Sequence, residues 1–218
     1  AELDTDTDGV AFLGFTEHLI SDQAVGAKSV YAADLDNDGD PDVIAAANGG
    51  NKIAWYESDT DTSGSAPLAF TEHVVSATVM GANSVHAADI DSDGDIDLLS
   101  ASGGDDTVAW YRNDGASPPS FETIPVSVET ESADAVFAAD VDNDGHMDIL
   151  SASSVPGSIS RNDKIAWFEN DGSGQWIRHM IKDKGDKQDF HSLVVADFDN
   201  DGDLDVFSGG GPLSGAPH

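Results

Sequence analysis

The residues of this chain best suited to chemistry are aspartates, and they come in sets. Asp34, Asp36, Asp38, Asp40 and Asp42 alternate with Leu35, Asn37, Gly39 and Pro41. Asp89, Asp91, Asp93, Asp95 and Asp97 repeat the pattern, with Gly94 in the place of Gly39. Asp140, Asp142, Asp144 and Asp148 form a third copy, in which Gly145 takes the sixth place and His146 the seventh. Asp197, Asp199, Asp201, Asp203 and Asp205 form the fourth, around Gly202. Successive copies start 55, 51 and 57 residues apart, so the chain is an array of repeats.

Carboxylates at positions 1, 3 and 5 of a loop, closed by another at position 9, suit a hard divalent cation. Ca2+ accepts about six to eight oxygens at a time. The glycine at position 6 permits the sharp turn that aims the oxygens inward. Position 7 would lend its backbone carbonyl, which explains a histidine at 146. The expectation is about four Ca2+ ions, one per loop, with Asp42, Asp97, Asp148 and Asp205 as closing ligands. The competing reading is a solvated turn that merely favours Asp; four spaced copies speak against it. The loops are not EF-hands, because position 12 holds Ala45, Ser100, Ser151 and Ser208 rather than glutamate. The run Asp4 to Gly9 looks similar but aligns with Glu57 to Thr62, and reads as linker.

The segments around each loop are short and apolar, which predicts strands. Strand A is expected at 30–34, strand B at 42–47, strand C at Lys52 to Tyr56 and strand D at Phe70 to Val75. Strand C returns around Trp110 and Trp167, and strand D as Phe121 to Val126 and Trp176 to Ile181. Turn-forming residues separate them, and no segment carries a useful helical period. The fold class is therefore all-β, built from propeller blades of four antiparallel strands. The units are 30–75, 85–126 and 136–181, with a partial unit at 193–208, within a single domain over 1–218. An orphan strand D is expected at Phe15 to Ile20, within 15–29. A propeller must close to hide its sheet edges. Either the orphan strand closes a four-bladed ring, or the array belongs to a larger ring completed by further blades or by a second copy.

The chain carries 42 acidic and nine basic residues, a net charge of −33. Nucleic-acid phosphate and anionic membrane are therefore poor partners. Nineteen of the acids lie in the four loops. Four divalent ions would offset only part of the charge, which fits a salty or extracellular setting. Cysteine is absent, so disulfides are excluded and the redox compartment is unread. No apolar run reaches membrane-spanning length, and no leader sequence is evident.

The Asp-x-Asp-x-Asp-Gly-x-x-Asp loop, combined with the Ala-Trp-Tyr strand, resembles the FG-GAP/VCBS repeat family over nearly the whole chain. The resemblance implies a Ca2+-loop β-propeller, often of about seven blades, on secreted or surface proteins of adhesion and glycan handling. It maps metal ligands onto 34, 36, 38 and 42 and their equivalents. His146 and the number of repeats depart from the family pattern.

An antiparallel meander puts the metal loops on one face and the B–C and D–A turns on the other. The metal then reads as structural, and the opposite face as the place for a partner. There the third unit departs, through Ser153 to Asp163 and Lys182 to His191. Six of the nine basic residues fall between 161 and 187. Arg161, Lys184, Lys187 and His191 are the candidate site for an anionic or hydroxyl-rich glycan, with a variable surface loop as the competing reading. His18, His73 and His179 share one strand-D position, taken by Ile124 elsewhere, and read as packing. Trp55, Trp110 and Trp167 read as inter-blade core. His86 and His191 could be ligands or acid/base groups. No nucleophile elbow, zinc-protease motif or phosphate loop is present. Three functions compete: a Ca2+-dependent module binding glycan or protein, a polysaccharide-degrading enzyme or its accessory domain, and a self-assembling repeat.

Overall fold

The computed structural model describes residues 3–5, 11–13, 17–59, 69–154, 164–183 and 190–209. Three four-stranded antiparallel meanders follow one another. The first is β3 (Ala27–Ala33), β4 (Asp42–Ala47), β5 (Lys52–Asp59) and β6 (Ala69–Ser76). The second is β7 (Ala82–Ala88), β8 (Asp97–Ser102), β9 (Thr107–Asn113) and β10 (Phe121–Ser127). The third is β11 (Ala133–Ala139), β12 (Asp148–Ser153), β13 (Lys164–Asn170) and β14 (Trp176–Asp183). β15 (Ser192–Ala196) and β16 (Asp205–Gly209) make a two-stranded fourth sheet. β1 (Leu3–Thr5) and β2 (Ala11–Leu13) pair as a separate hairpin.

First strands of successive sheets lie against each other, β3 on β7, β7 on β11 and β11 on β15. This is the side-by-side arrangement of propeller blades, with strand A innermost. The core lies between blades. Leu35, Ile44 and Trp55 of the first blade pack against Val85, Leu98 and Tyr111 of the second. Ile90, Leu99 and Val108 of the second pack against Val136, Ile149 and Phe168 of the third. Strand B is buried along its whole length in blades two and three, which is why it reads as apolar or small rather than alternating.

Two expectations are corrected. Strand A starts at Ala27, Ala82 and Ala133, three residues earlier than the apolar pattern suggests. Gly26, Gly81 and Ser132, at φ 64°, 66° and 54°, turn the chain into it. Its register then slips by one residue at Lys28, Asn83 and Asp134. Such a bulge hides the alternation on which a sequence reading depends. The expected orphan strand D is not formed over residues 17–20, which lie outside any strand; Phe15 and Thr16 are outside the described residues. Of the run Asp4 to Gly9, read as linker, Asp4 and Thr5 belong to β1 and pair with β2, and residues 6–9 are outside the described residues.

The outermost described blades show apolar side chains that their middle counterparts bury. Val30 is 67% exposed, whereas Val85 and Val136 at the same place are 4% and 5%. Phe207 is 58% exposed, whereas Ile44, Leu99 and Leu150 are 0%. Phe198 lies beside Phe207, with ring centroids 4.4 Å apart.

Candidate metal centres and their surroundings

Each A–B loop repeats one backbone conformation. Position 4 is left-handed in all four, at Asn37, Ser92, Asn143 and Asn200 (φ 59°, 61°, 59° and 60°). Asparagine tolerates this region better than most residues, which accounts for three of the four. Position 6 has φ of 97°, 98°, 94° and 98° at Gly39, Gly94, Gly145 and Gly202. Space is not the reason for glycine there, since a Cβ would meet nothing within 4 Å at any of the four. The backbone angle itself demands it.

The carboxylates hold this turn from inside. Oδ2 of position 1 accepts the N–H of position 6, at 3.0 Å from Gly39 to Asp34, with equivalent bonds at Asp89, Asp140 and Asp197. At position 5, Oδ1 of Asp38, Asp93, Asp144 and Asp201 accepts the N–H of position 7, namely Asp40, Asp95, His146 and Asp203. Position 9 ties the loop to the blade. Asp42 accepts the N–H of Leu35 and that of Ser58 at the end of strand C, both at 2.9 Å. Asp97 does the same with Ile90 and Asn113, and Asp148 with Val141 and Asn170. Asp205 accepts from Phe198.

These bonds leave a convergent set of oxygens. Positions 1, 3 and 9 of each loop (Asp34, Asp36 and Asp42; Asp89, Asp91 and Asp97; Asp140, Asp142 and Asp148; Asp197, Asp199 and Asp205) offer oxygens within 4.8 Å of one another. Oδ1 of Asp34 is buried and has no hydrogen-bond partner. A buried carboxylate oxygen without a partner is costly unless a cation meets it. The residues therefore fit a hard, oxygen-seeking cation. Position 5 stands outside the tight triads, and its Oδ1 holds the N–H of position 7. Position 7 is also outside the triads, and Asp95 accepts a 2.8 Å bond from Asn37 of the neighbouring loop.

Burial raises the proton affinity of five of these carboxylates. Asp97 is pushed up to about 6, chiefly by burial and against its bonds from Asn113 and Ile90. Burial likewise raises Asp42 and Asp148. Asp36 and Asp91 are raised first by burial, with the charges of neighbouring aspartates adding to it. The loops thus concentrate negative charge where it is poorly solvated.

Of the candidate glycan-site residues, Arg161, Lys184 and Lys187 lie outside the described residues. His191 is described, and Nδ1 lies 2.8 Å from Oδ2 of Asp134. It heads a line that the bulges bring together across the inner strands. Lys28 donates to Asn83, and Asn83 donates to Asp134, both at 2.8 Å. The four residues border an open hollow of about 260 Å3. They occupy one repeat position, six before each first aspartate, and carry four different side chains, a signal available in the alignment of the repeats. His86 lies between Tyr31 and Phe137, at 4.8 and 4.5 Å, and burial lowers it to about 4. His73 and His179 stack on Trp55 and Trp167 at 4.4 Å, as packing predicts.

A family model described as FG-GAP-like repeat matches residues 34–100, 89–151 and 154–208. No curated protein matches the chain.

Proposed function

The chain belongs to the FG-GAP-like repeat family, and on that premise we propose that it is a calcium-binding β-propeller module that engages a glycan or protein ligand outside the cell. The observation that carries the metal is the recurrence of one triad geometry in four loops, with a buried, partnerless oxygen on Asp34. Calcium fits better than magnesium, because each loop gathers three carboxylates, whereas magnesium is usually held by one or two and keeps its waters. The role of the ion is mechanical. It neutralises a turn whose position 9 carboxylate joins strands A, B and C, so it fixes the blade rather than reacting. Sites of this kind work at millimolar calcium, as found outside cells, and the net charge of −33 is best tolerated there. Among the described residues no helix is long and apolar enough to cross a membrane.

Calorimetric titration with Ca2+ tests this reading. Roughly one ion per loop should bind, with affinities in the range of about 10−4 to 10−3 M. Absence of binding at millimolar calcium would remove the proposal.

A second reading concerns assembly. The exposed Val30 on one outermost described blade and Phe198 and Phe207 on the other belong to the two sides of an interface that the chain already makes between its own blades. A second copy placed head to tail would bury both, and would extend the ring with the contacts it uses internally.

A further inference from the structure

The repeats act as internal controls, and their departures from one another converge on one place. Blades one and three carry a glutamate on strand C and a histidine on strand D, Glu57 with His73 and Glu169 with His179, and each pair is joined through Nε2. In both blades the histidine covers the strand-C tryptophan. Blade two replaces both partners, with Arg112 for the glutamate and Ile124 for the histidine. A second pair is replaced at the neighbouring loops. Asn37 of loop one donates to Asp95 of loop two. The corresponding residues between loops two and three are Ser92 and His146. Strand D of blade three also carries Trp176 where the other two carry Phe70 and Phe121.

Arg112, Ile124, His146 and Trp176 line a single pocket of about 390 Å3 between blades two and three, together with Trp110 and Asp91. The two indoles meet edge to face with centroids 6.2 Å apart. Arg112 is half exposed at the rim and pairs with Glu122. A more open hollow of about 440 Å3 continues from it and shares Arg112 and Asp91.

We propose that this pocket binds an acidic saccharide, such as a uronate-containing oligosaccharide. The proposal rests on the reading of the chain as a binding module and names its ligand class. Indole rings present broad apolar surfaces with a polar edge, suited to the C–H face of a sugar. The Arg112 guanidinium offers paired donors that match a carboxylate. It stands where the other blades hold glutamate, on a chain otherwise poor in positive charge. The His146 ring adds a polar group to the same pocket.

Tryptophan emission, followed in calcium buffer, tests this. The probes are galacturonate oligomers, neutral gluco-oligomers of equal length and poly-glutamate. Saturable quenching or shift by the galacturonate oligomers is expected, with Arg112→Ala weakening it by about tenfold or more, the usual size for one charge-assisted contact. The variant Arg112→Glu, Glu122→Thr, Ile124→His gives blade two the side chains of blade one. It should fold, melt near the parent and lose the response. Equal binding by that variant, a preference for neutral oligomers, or a response to poly-glutamate alone would each overturn the proposal. Calcium binding without any saccharide response would defeat this inference and leave the metal reading standing; loss of calcium binding itself would defeat the earlier reading.

Discussion

Removing calcium should weaken the fold by an amount that the loop geometry bounds. In each loop three carboxylate oxygens lie within 4.8 Å of one another. At that separation two unit charges repel by about 0.9 kcal/mol in water and about 3.5 kcal/mol at the effective dielectric typical of a protein surface. Three pairs per loop therefore give about 3 to about 10 kcal/mol of repulsion when all are ionised and no cation is present. A typical domain has only about 5–15 kcal/mol of total stability. The bound ion recovers what mass action allows. At about 10 mM free Ca2+ and a dissociation constant near 10−4 M, each site contributes about 2.7 kcal/mol. For a chain of this size that corresponds to roughly 5–11 °C per site. Scanning calorimetry in calcium and in EDTA should therefore separate the two melting temperatures by more than about 10 °C once two or more sites act. Magnesium should restore only a small part, because it sheds its waters reluctantly and is seldom held by an all-protein set of carboxylates. A calcium-to-EDTA difference below about 2 °C would show that the triads are solvated turns, and the reasoning from crowded carboxylates would fail.

Three further outcomes follow from the same geometry. Asp97 has its folded pKa raised to about 6, against about 3.9 when unfolded. The folded, metal-free protein then binds the extra proton, a stabilisation complete below about pH 4 and lost as pH rises through about 6. Acidification from about pH 7.5 to about pH 5 should raise the melting temperature in EDTA but shrink the gain from calcium, since ligands must lose protons to bind; melts at both values check it, and parallel pH trends would refute it. Gly94→Ala should cost about 1–3 kcal/mol through its backbone angle alone, because φ is 98° and no atom lies within 4 Å of the new methyl. Gly50→Ala, which meets only ordinary contacts and needs no left-handed angle, is the control, and equal urea midpoints for the two would count against the assigned loop conformation. If a second copy covers the terminal blades, light scattering should show a mass above the monomer that rises with concentration, and Phe207→Asp should return the monomer; a parent that stays monomeric throughout would dismiss that assembly.

The sequence carries the aspartate loops and the blades because both are local. An Asp-x-Asp-x-Asp-Gly run dictates its own turn, and the apolar segments beside it pair with their nearest neighbours in the chain. The structure adds what depends on register and on neighbouring blades. Position 9 illustrates the limit. The spacing marks Asp42, Asp97 and Asp148 as closing carboxylates. That each also accepts an N–H from the far end of strand C, at Ser58, Asn113 and Asn170, emerges only once the strands are paired. The bulge that sets Lys28, Asn83 and Asp134 beside His191 is likewise silent in an apolar pattern, because it consists of a single residue out of step.

The expected orphan strand failed for the opposite reason. Phe15 to Ile20 copies strand D in sequence, but copying a strand does not supply its partner. A strand forms on a ladder, and the fourth blade has only two described strands, with none beside residues 17–20. The same logic explains why Arg112, Ile124, His146 and Trp176 do not read as one site in the sequence. In the chain they are up to 64 residues apart, and three of them replace residues that bond or stack within a blade or between neighbouring loops. Only the packing of blade two on blade three gathers them, and it does so where those cross-links are absent. Repetition therefore sets the scaffold, and the places where both members of a repeated pair change together are where a repeat protein can hold a ligand.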